Sequence, residues 1–335
     1  MNKKLLSLAA ILAAGAAAAA SIGAGPGGDF VAVWGGTVAD QGGVLKALGP
    51  FEYASVSAAG GSYAVVTVKE GKLPPVSDVR VYDGAGKLRW SANGVGASRA
   101  LVADSGAAAL VTMVGTGPSA TSHLDFYGPT GAKTGGADLG MVADAAYFPG
   151  GDRLAVAALG GETHVFDVAA GSEEYTVPGA QWLAAGPGDR LLVFDTDKMA
   201  LYQDGRPAWH TNHGLYFPRL ARIKSDGTAA VVGAHHELAL VDLATGEITR
   251  RWEAPADFGV TDVAAAADFS SFAAGVRSLG GVEAVFWLDG RFQLLEQEEH
   301  KVAQPSGSSP VVAVLGGETP AALALGQGWQ TVLGR

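Results

Sequence analysis

Beyond position 50 the apolar residues come in short blocks, each introduced by a turn of small residues. Gly60-Gly61 precedes Tyr63 to Val68, Asp104-Ser105-Gly106 precedes Ala108 to Val114, and Gly150-Gly151-Asp152 precedes Leu154 to Leu159. Gly188-Asp189 precedes Leu191 to Phe194, and Lys224-Ser225-Asp226-Gly227 precedes Ala229 to Gly233. Ser270-Ser271 precedes Phe272 to Val276, and Ser306-Gly307 precedes Val311 to Leu315. Blocks this short, bounded by Gly, Ser and Asp, predict β-strands. Some are apolar at every position, as in Leu191-Leu192-Val193-Phe194, so both faces of the strand are expected to be covered. No stretch beyond residue 25 carries the period of a long amphipathic helix, and the short Val263 to Ala267 run falls where a strand belongs.

A second element follows each block: an apolar strand, a turn rich in Asp and Gly, then a further strand. It reads Val81-Tyr82-Asp83-Gly84-Ala85-Gly86-Lys87-Leu88-Arg89-Trp90, and again Val241-Asp242-Leu243-Ala244-Thr245-Gly246 with Trp252. Val165-Phe166-Asp167 with Gly171, Leu201-Tyr202 with Asp204-Gly205 and Trp209, and Phe286-Trp287-Leu288-Asp289-Gly290 repeat it. Phe126-Tyr127-Gly128-Pro129-Thr130-Gly131 is a weaker copy. Anchored on Gly61, Gly106, Gly151, Gly188, Gly227, Ser270 and Gly307, the units are 45, 45, 37, 39, 43 and 37 residues apart. The mean, about 41, is the length of a unit of four short strands. The prediction is an all-β fold, a seven-bladed β-propeller of four-stranded antiparallel blades over residues 51–335, with six or eight blades left open. Residues 25–50 are expected to add one or two closing strands.

These repeats resemble the WD40-like and quinoprotein-like propellers. Asp242-Leu243-Ala244-Thr245-Gly246 with Trp252, and Asp83-Gly84-Ala85-Gly86 with Trp90, look like the D-x-x-T-G-x-x-x-W repeat of pyrroloquinoline-quinone-type propellers. Lys224-Ser225-Asp226-Gly227 looks like the S-x-D-G turn common to many propellers. Gly-His and Trp-Asp dipeptides are missing, and so is the adjacent cysteine pair typical of quinone-dependent dehydrogenases. The resemblance therefore implies a fold and not an activity. Asp83, Asp242, Trp90, Trp209 and Trp252 are expected to hold turns and blade packing rather than a ligand.

Composition refines this picture. The 49 glycines are about twice the usual share and suit many tight turns. Residues 1–24 read as a signal peptide: Lys3 and Lys4, then an uncharged run from Leu5 to Ala20, then small residues allowing cleavage after Ala20 or Ala24. The mature chain is expected in the periplasm or outside the cell with no stable membrane span, a retained N-terminal anchor being the alternative. Removing Lys3 and Lys4 takes the net charge from −10 to −12, a sign that repels nucleic acid and anionic lipid. Cysteine is absent, which removes disulfides, thiolate metal sites and cysteine nucleophiles.

Candidate chemistry gathers where the b–c and d–a loops meet. Asp195 and Asp197 lie in one b–c turn, His210 and His213 in the following d–a connection, and His235 and His236 in the next b–c turn. Together they form the candidate partner-binding face. The four histidines are also the candidate metal ligands, although strand alternation would point His235 and His236 apart. Long b–c loops at 70–78 and 115–122 open on the same face. No G-x-S-x-G elbow, H-E-x-x-H or phosphate-cradling loop occurs. The function expected is a non-enzymatic scaffold or binding protein for a protein or cell-envelope partner, with no cofactor. A propeller-type enzyme, a lactonase-like hydrolase or an oxidoreductase with a metal on that face, is the alternative.

Overall fold

The computed structural model describes residues 21–330 except for 25–29, 35–36, 41–42, 50–51, 58–59, 70–75, 116–119, 152, 160, 180, 267, 280–282, 301, 306–311, 317–320 and 325–328. The signal segment over residues 1–20 lies outside the described residues. The strands form eight four-stranded antiparallel sheets, each a meander whose strands, here a to d, follow chain order. Sheet 1 runs from strand a at Ser21–Ala24 to strand d at Gly43–Ala47, and sheet 2 from Glu52–Val56 to Leu88–Val95. Sheet 3 runs from Arg99–Val102 to Lys133–Gly140, and sheet 4 from Val142–Tyr147 to Ser172–Pro178. Sheet 5 runs from Trp182–Gly186 to Arg206–Asn212, and sheet 6 from Leu220–Ile223 to Ile248–Glu253. Sheet 7 runs from Phe258–Ala265 to Leu294–His300, and sheet 8 from Val302–Pro305 to Trp329–Gln330. There is no α-helix among the described residues.

The expected count of seven blades is not confirmed. Side-chain packing is described throughout six sheets, 2 to 7; in sheet 1 it is described for Val38, which packs with Tyr63 and Val65, and sheet 8 is described as backbone. The difference arises at the N-terminal side. Residues 29–49, read as one or two closing strands, hold three strands, and Ser21–Ala24 pairs with Phe30–Trp34 as a fourth. The strands a of successive sheets adjoin around an axis, and strand a of sheet 1 meets strand a of sheet 8. Sheets 3 and 4 join through a shared core that includes Ala109, Val111, Leu154 and Val156.

Each of sheets 2 to 7 buries its strand b, and the reason lies in alternation. Ala230 and Val232 on strand b of sheet 6 pack with Leu192 and Phe194 of sheet 5. Val231, between them, packs with Phe272 and Ala274 of sheet 7. Successive side chains point to opposite faces, and each face meets a neighbouring sheet, so an unbroken apolar run is what the position demands. Pairing between strands c and d shifts register at one place in each of sheets 3 to 7, at Phe126/Tyr127, Val165/Phe166, Leu201/Tyr202, Leu240/Val241 and Trp287/Leu288. A bulge repeated there increases the local twist of each blade.

The Asp/Gly turns have a structural task. The Asp83 carboxylate accepts from the backbone N–H groups of Ala85 and Lys87 at 3.1 and 2.8 Å, and Asp242 accepts from Ala244 and Thr245 at 2.7 and 3.3 Å. From sheet 3 onward the turn glycine receives a residue from the preceding sheet. Atoms of Trp90 crowd Gly131, Tyr175 crowds Gly205, and Trp209 crowds Gly246. Those residues stand four places after Gly86, Gly171 and Gly205, the glycines of their own turns. Gly135 holds the same place after Gly131 and brings bare backbone against Gly171. Four places after Gly246 stands Arg250, whose Nη1 donates to the Gly290 carbonyl of the next turn at 2.6 Å. Trp252, which the motif aligns with Trp90, lies two residues further on and packs against Phe286 at 5.6 Å instead.

Candidate binding face

The b–c and d–a connections emerge at one end of the sheets, and the candidate residues sit there. Ala234 N–H donates to the Glu237 carbonyl at 2.8 Å, closing a tight b–c turn around His235 and His236. Because both residues occupy a turn, strand alternation does not separate them: their rings lie 3.9 Å apart, centroid to centroid. Tyr216, from the d–a connection before sheet 6, brings its ring to 5.7 Å from His235 and accepts the His235 N–H at 2.9 Å. His236 Nδ1 donates to the Phe258 carbonyl at 2.8 Å. Burial, then the neighbouring His236 and Arg219, hold the His235 imidazole below its usual value.

The other candidates separate from this pair. His213 is buried and braces its own loop: Nδ1 accepts the Leu215 N–H at 2.9 Å, and Nε2 faces the Asp195 carbonyl at 3.2 Å. That pattern suits the tautomer with its proton on Nε2. His210 lies within strand d of sheet 5 rather than in the loop, paired with Ala200 and exposed. It lines an open groove of about 500 Å³ with Asp195, Lys198 and Asn212. Burial raises the Asp195 carboxyl, but N–H donors of Asp197 and Lys198 outweigh it and hold it below its usual value. Asp195 and Asp197 thus shape the turn against His213, whose N–H donates to the Asp197 carbonyl at 3.2 Å. Among the described residues no group of three or more His, Asp or Glu side chains is arranged to hold a metal ion. Residues 70–75 and 116–119 of the two long loops lie outside the described residues.

A feature that no motif announced marks this end. Ten large hydrophobic residues are exposed among the described residues, and seven of them sit on b–c or d–a connections or the strand ends beside them. One group comprises Met113, Val114, Met141 and Leu159. Leu159 N–H donates to the Met141 carbonyl at 2.7 Å, and Ser122, the cross-strand partner of Met113, accepts the Val142 N–H at 3.1 Å. The other comprises Tyr216, Phe217 and Leu279, with Tyr216 and Phe217 edge to face at 4.6 Å. Leu279 is 95% exposed, and its N–H donates to the Asp257 carbonyl at 3.3 Å, beside the Phe258 that holds His236. At the opposite, a–b and c–d end, Leu88 and Leu294 open strands d of sheets 2 and 7, and Leu295 follows Leu294. A sequence signal exists in retrospect. Leu159 and Leu279 each open a Leu-Gly-Gly b–c turn, a run that recurs at Leu315-Gly316-Gly317. A leucine beside two glycines in a tight surface turn has nothing of its own to bury against.

No protein-family model and no curated protein sequence matches the chain. Solved structures do. The β-propeller domain of Cps50 (Swd1) from Myceliophteria thermophila aligns at a TM-score of 0.56 and 12% identity, covering 82% of this chain and 92% of that one. Hsv2p of Kluyveromyces lactis aligns at 0.58 and 12% identity, covering 80% of this chain and 91% of that one. Identity this low speaks to fold alone, and the fold is the one the repeats implied: the chain folds as a β-propeller.

Proposed function

We propose that this protein is a non-enzymatic binding propeller that takes a protein partner on the face formed by its b–c and d–a connections. The carrying observation is the clustering there of seven of the ten exposed large hydrophobic residues among the described residues. Scattered surface apolar residues are ordinary, but a concentration on one end of a rigid scaffold costs solubility and is the mark of an interaction surface. Aromatic residues in contact, such as Tyr216 and Phe217, supply anchors of the kind that dominate binding energy. Co-purification from native extracts tests this with three forms of the chain. Wild type and Leu88→Ser should recover the same partner. The Tyr216→Ser/Leu279→Ser double variant, altered only at exposed positions, should lose it by roughly 30-fold, as removal of a hot spot worth about 2 kcal/mol requires. Equal recovery by all three forms would sink the reading.

Export to the periplasm or cell exterior, with an envelope component as partner, belongs to the same proposal. The basic start and uncharged run of the first 20 residues support it. Ser21–Ala24 pairs with Phe30–Trp34 from Ser21↔Val33 to Ala24↔Phe30, so cleavage after Ala20 leaves strand a of sheet 1 whole, whereas cleavage after Ala24 removes it. Intact mass of the protein from its native host should therefore begin at Ser21. A full-length mass in the membrane fraction would instead establish the anchor.

A further inference from the structure

The loop that presents Tyr216 and Phe217 is held from beneath by a buried histidine. His213 is 5% exposed, and the five other buried polar residues among the described ones are all serine or threonine. Its Nδ1 accepts the Leu215 N–H at 2.9 Å, and Nε2, carrying the proton, donates to the Asp195 carbonyl at 3.2 Å. With its own N–H on the Asp197 carbonyl at 3.2 Å, it ties the d–a connection to the b–c turn of sheet 5. Leu215 is drawn into the core between sheets 5 and 6 with Phe194, Met199 and Ala234. The next two side chains turn outward, Tyr216 at 61% and Phe217 at 47% exposed. Beyond them the Tyr216 carbonyl accepts the His235 N–H at 2.9 Å, and the Arg219 N–H donates to the Gly233 carbonyl at 3.0 Å. Phe217 has a φ of 50°, a conformation that a bulky residue adopts only where its surroundings impose it. The two aromatics are therefore set on a fixed knuckle rather than carried on a loose loop.

A side chain that accepts the backbone N–H two residues on is ordinarily Asn or Asp. Here an imidazole takes that place, and it alone of the three gains a charge between pH 8 and pH 5. The second proton has to go to Nδ1, the atom that accepts the Leu215 N–H. Two N–H groups would then confront each other in a buried site. The ionisable groups around this boundary are Asp195, Asp197 and Lys198 in and after the b–c turn of sheet 5, His210 on its strand d, Arg219 in the same connection, and His235 and Glu237 in the b–c turn of sheet 6. The Asp195 carboxylate is taken by the N–H groups of Asp197 and Lys198 at 3.0 and 2.8 Å, and Glu237 is paired with Arg251 at 2.6 Å. Arg219 Nη2 donates to the Val260 carbonyl at 3.1 Å. Among the described residues His213 itself makes no ion pair. A charged His213 would lose one hydrogen bond and stay buried without a counter-charge, so protonation favours the opened loop.

We infer that His213 is a proton-operated latch on the binding face: neutral, it sets the Tyr216–Phe217 knuckle, and doubly protonated, it releases it. Its consequence for binding rests on the docking reading above, whereas the latch is a property of the free protein.

Amide hydrogen exchange read residue by residue on the free protein, at about pH 7.5 and about pH 5.5 and corrected for intrinsic rates, tests it. The Leu215 amide should lose protection by about tenfold or more in acid, the effect of stranding a buried donor, while the amide of Val231 in the core keeps its own. His213→Asn offers an amide oxygen to the same N–H and does not titrate, so Leu215 should stay protected at both pH values. The loss in wild type should also follow the titration of the His213 ring seen by NMR, a readout that needs no variant to fold. A partner captured at the higher pH should be released in acid by wild type and retained by His213→Asn. If no partner is captured at either pH, the docking reading fails and the exchange data still decide the latch. Unchanged protection of Leu215 in acid, or an equal loss in His213→Asn, overturns the inference.

Discussion

Trp90→Ala should destabilise the protein by about 3–5 kcal/mol, the range for removing a large aromatic from a packed site. Trp90 is 6% exposed on strand d of sheet 2 and packs in a core shared with sheet 3. Its ring stacks on Tyr127 at 5.3 Å, and its Nε1 donates to the Gly106 carbonyl at 2.9 Å. Atoms of the same side chain fill the space above Gly131. Alanine abolishes the stacking and the hydrogen bond, keeps only the Cβ over Gly131, and leaves a hole between blades that backbone cannot close. Trp90→Phe keeps most of the stacking and gives up the hydrogen bond, so it should cost about 1–3 kcal/mol. Denaturant unfolding followed by circular dichroism separates the two. An alanine variant within about 1 kcal/mol of wild type would mean that sheets 2 and 3 are held mainly elsewhere.

What could be read from the sequence follows from how far each cause reaches along the chain. Strands b were legible because both of their faces meet neighbouring sheets, as Val231 and Val232 show, so burial is written as an unbroken apolar run. The c–d turns were legible because Asp83 and Asp242 satisfy backbone donors only two to four residues away. Sheet 1 was not counted although Phe30-Val31-Ala32-Val33-Trp34 is an unbroken apolar run, because its first strand, Ser21–Ala24, falls in the segment read as a signal peptide. His235 and His236 were assigned opposite directions by a strand rule, whereas the Ala234–Glu237 hydrogen bond makes their segment a turn.

The repeat from Phe126 to Gly131 looked degenerate because no aromatic follows its turn, and the structure gives that absence a cause. Where other sheets place an aromatic ring over the next turn glycine, Gly135 places its own backbone there. An added Cβ on Gly171 would overlap Thr134 and Gly135, and one on Gly135 would overlap Gly171. Thr134 Oγ1 fixes the approach by donating to the Val168 carbonyl at 2.7 Å. Gly171→Ala should therefore be among the most damaging small substitutions in the chain. Gly94→Ala provides the matched comparison. Gly94 and Gly171 share a left-handed backbone, with φ of 70° and 69°. Nothing lies within 4 Å of a Cβ at Gly94. Gly94→Ala then reports the backbone penalty by itself, about 1–2 kcal/mol. Gly171→Ala adds the separation of two sheets whose contact is backbone on backbone, where no side chain can swing aside, and should cost at least about 2 kcal/mol more. Equal unfolding midpoints for the two variants would show that the boundary between sheets 3 and 4 yields easily. A large gap would establish that glycine at position 135 is a packing choice equivalent to the tryptophans, made where two backbones meet.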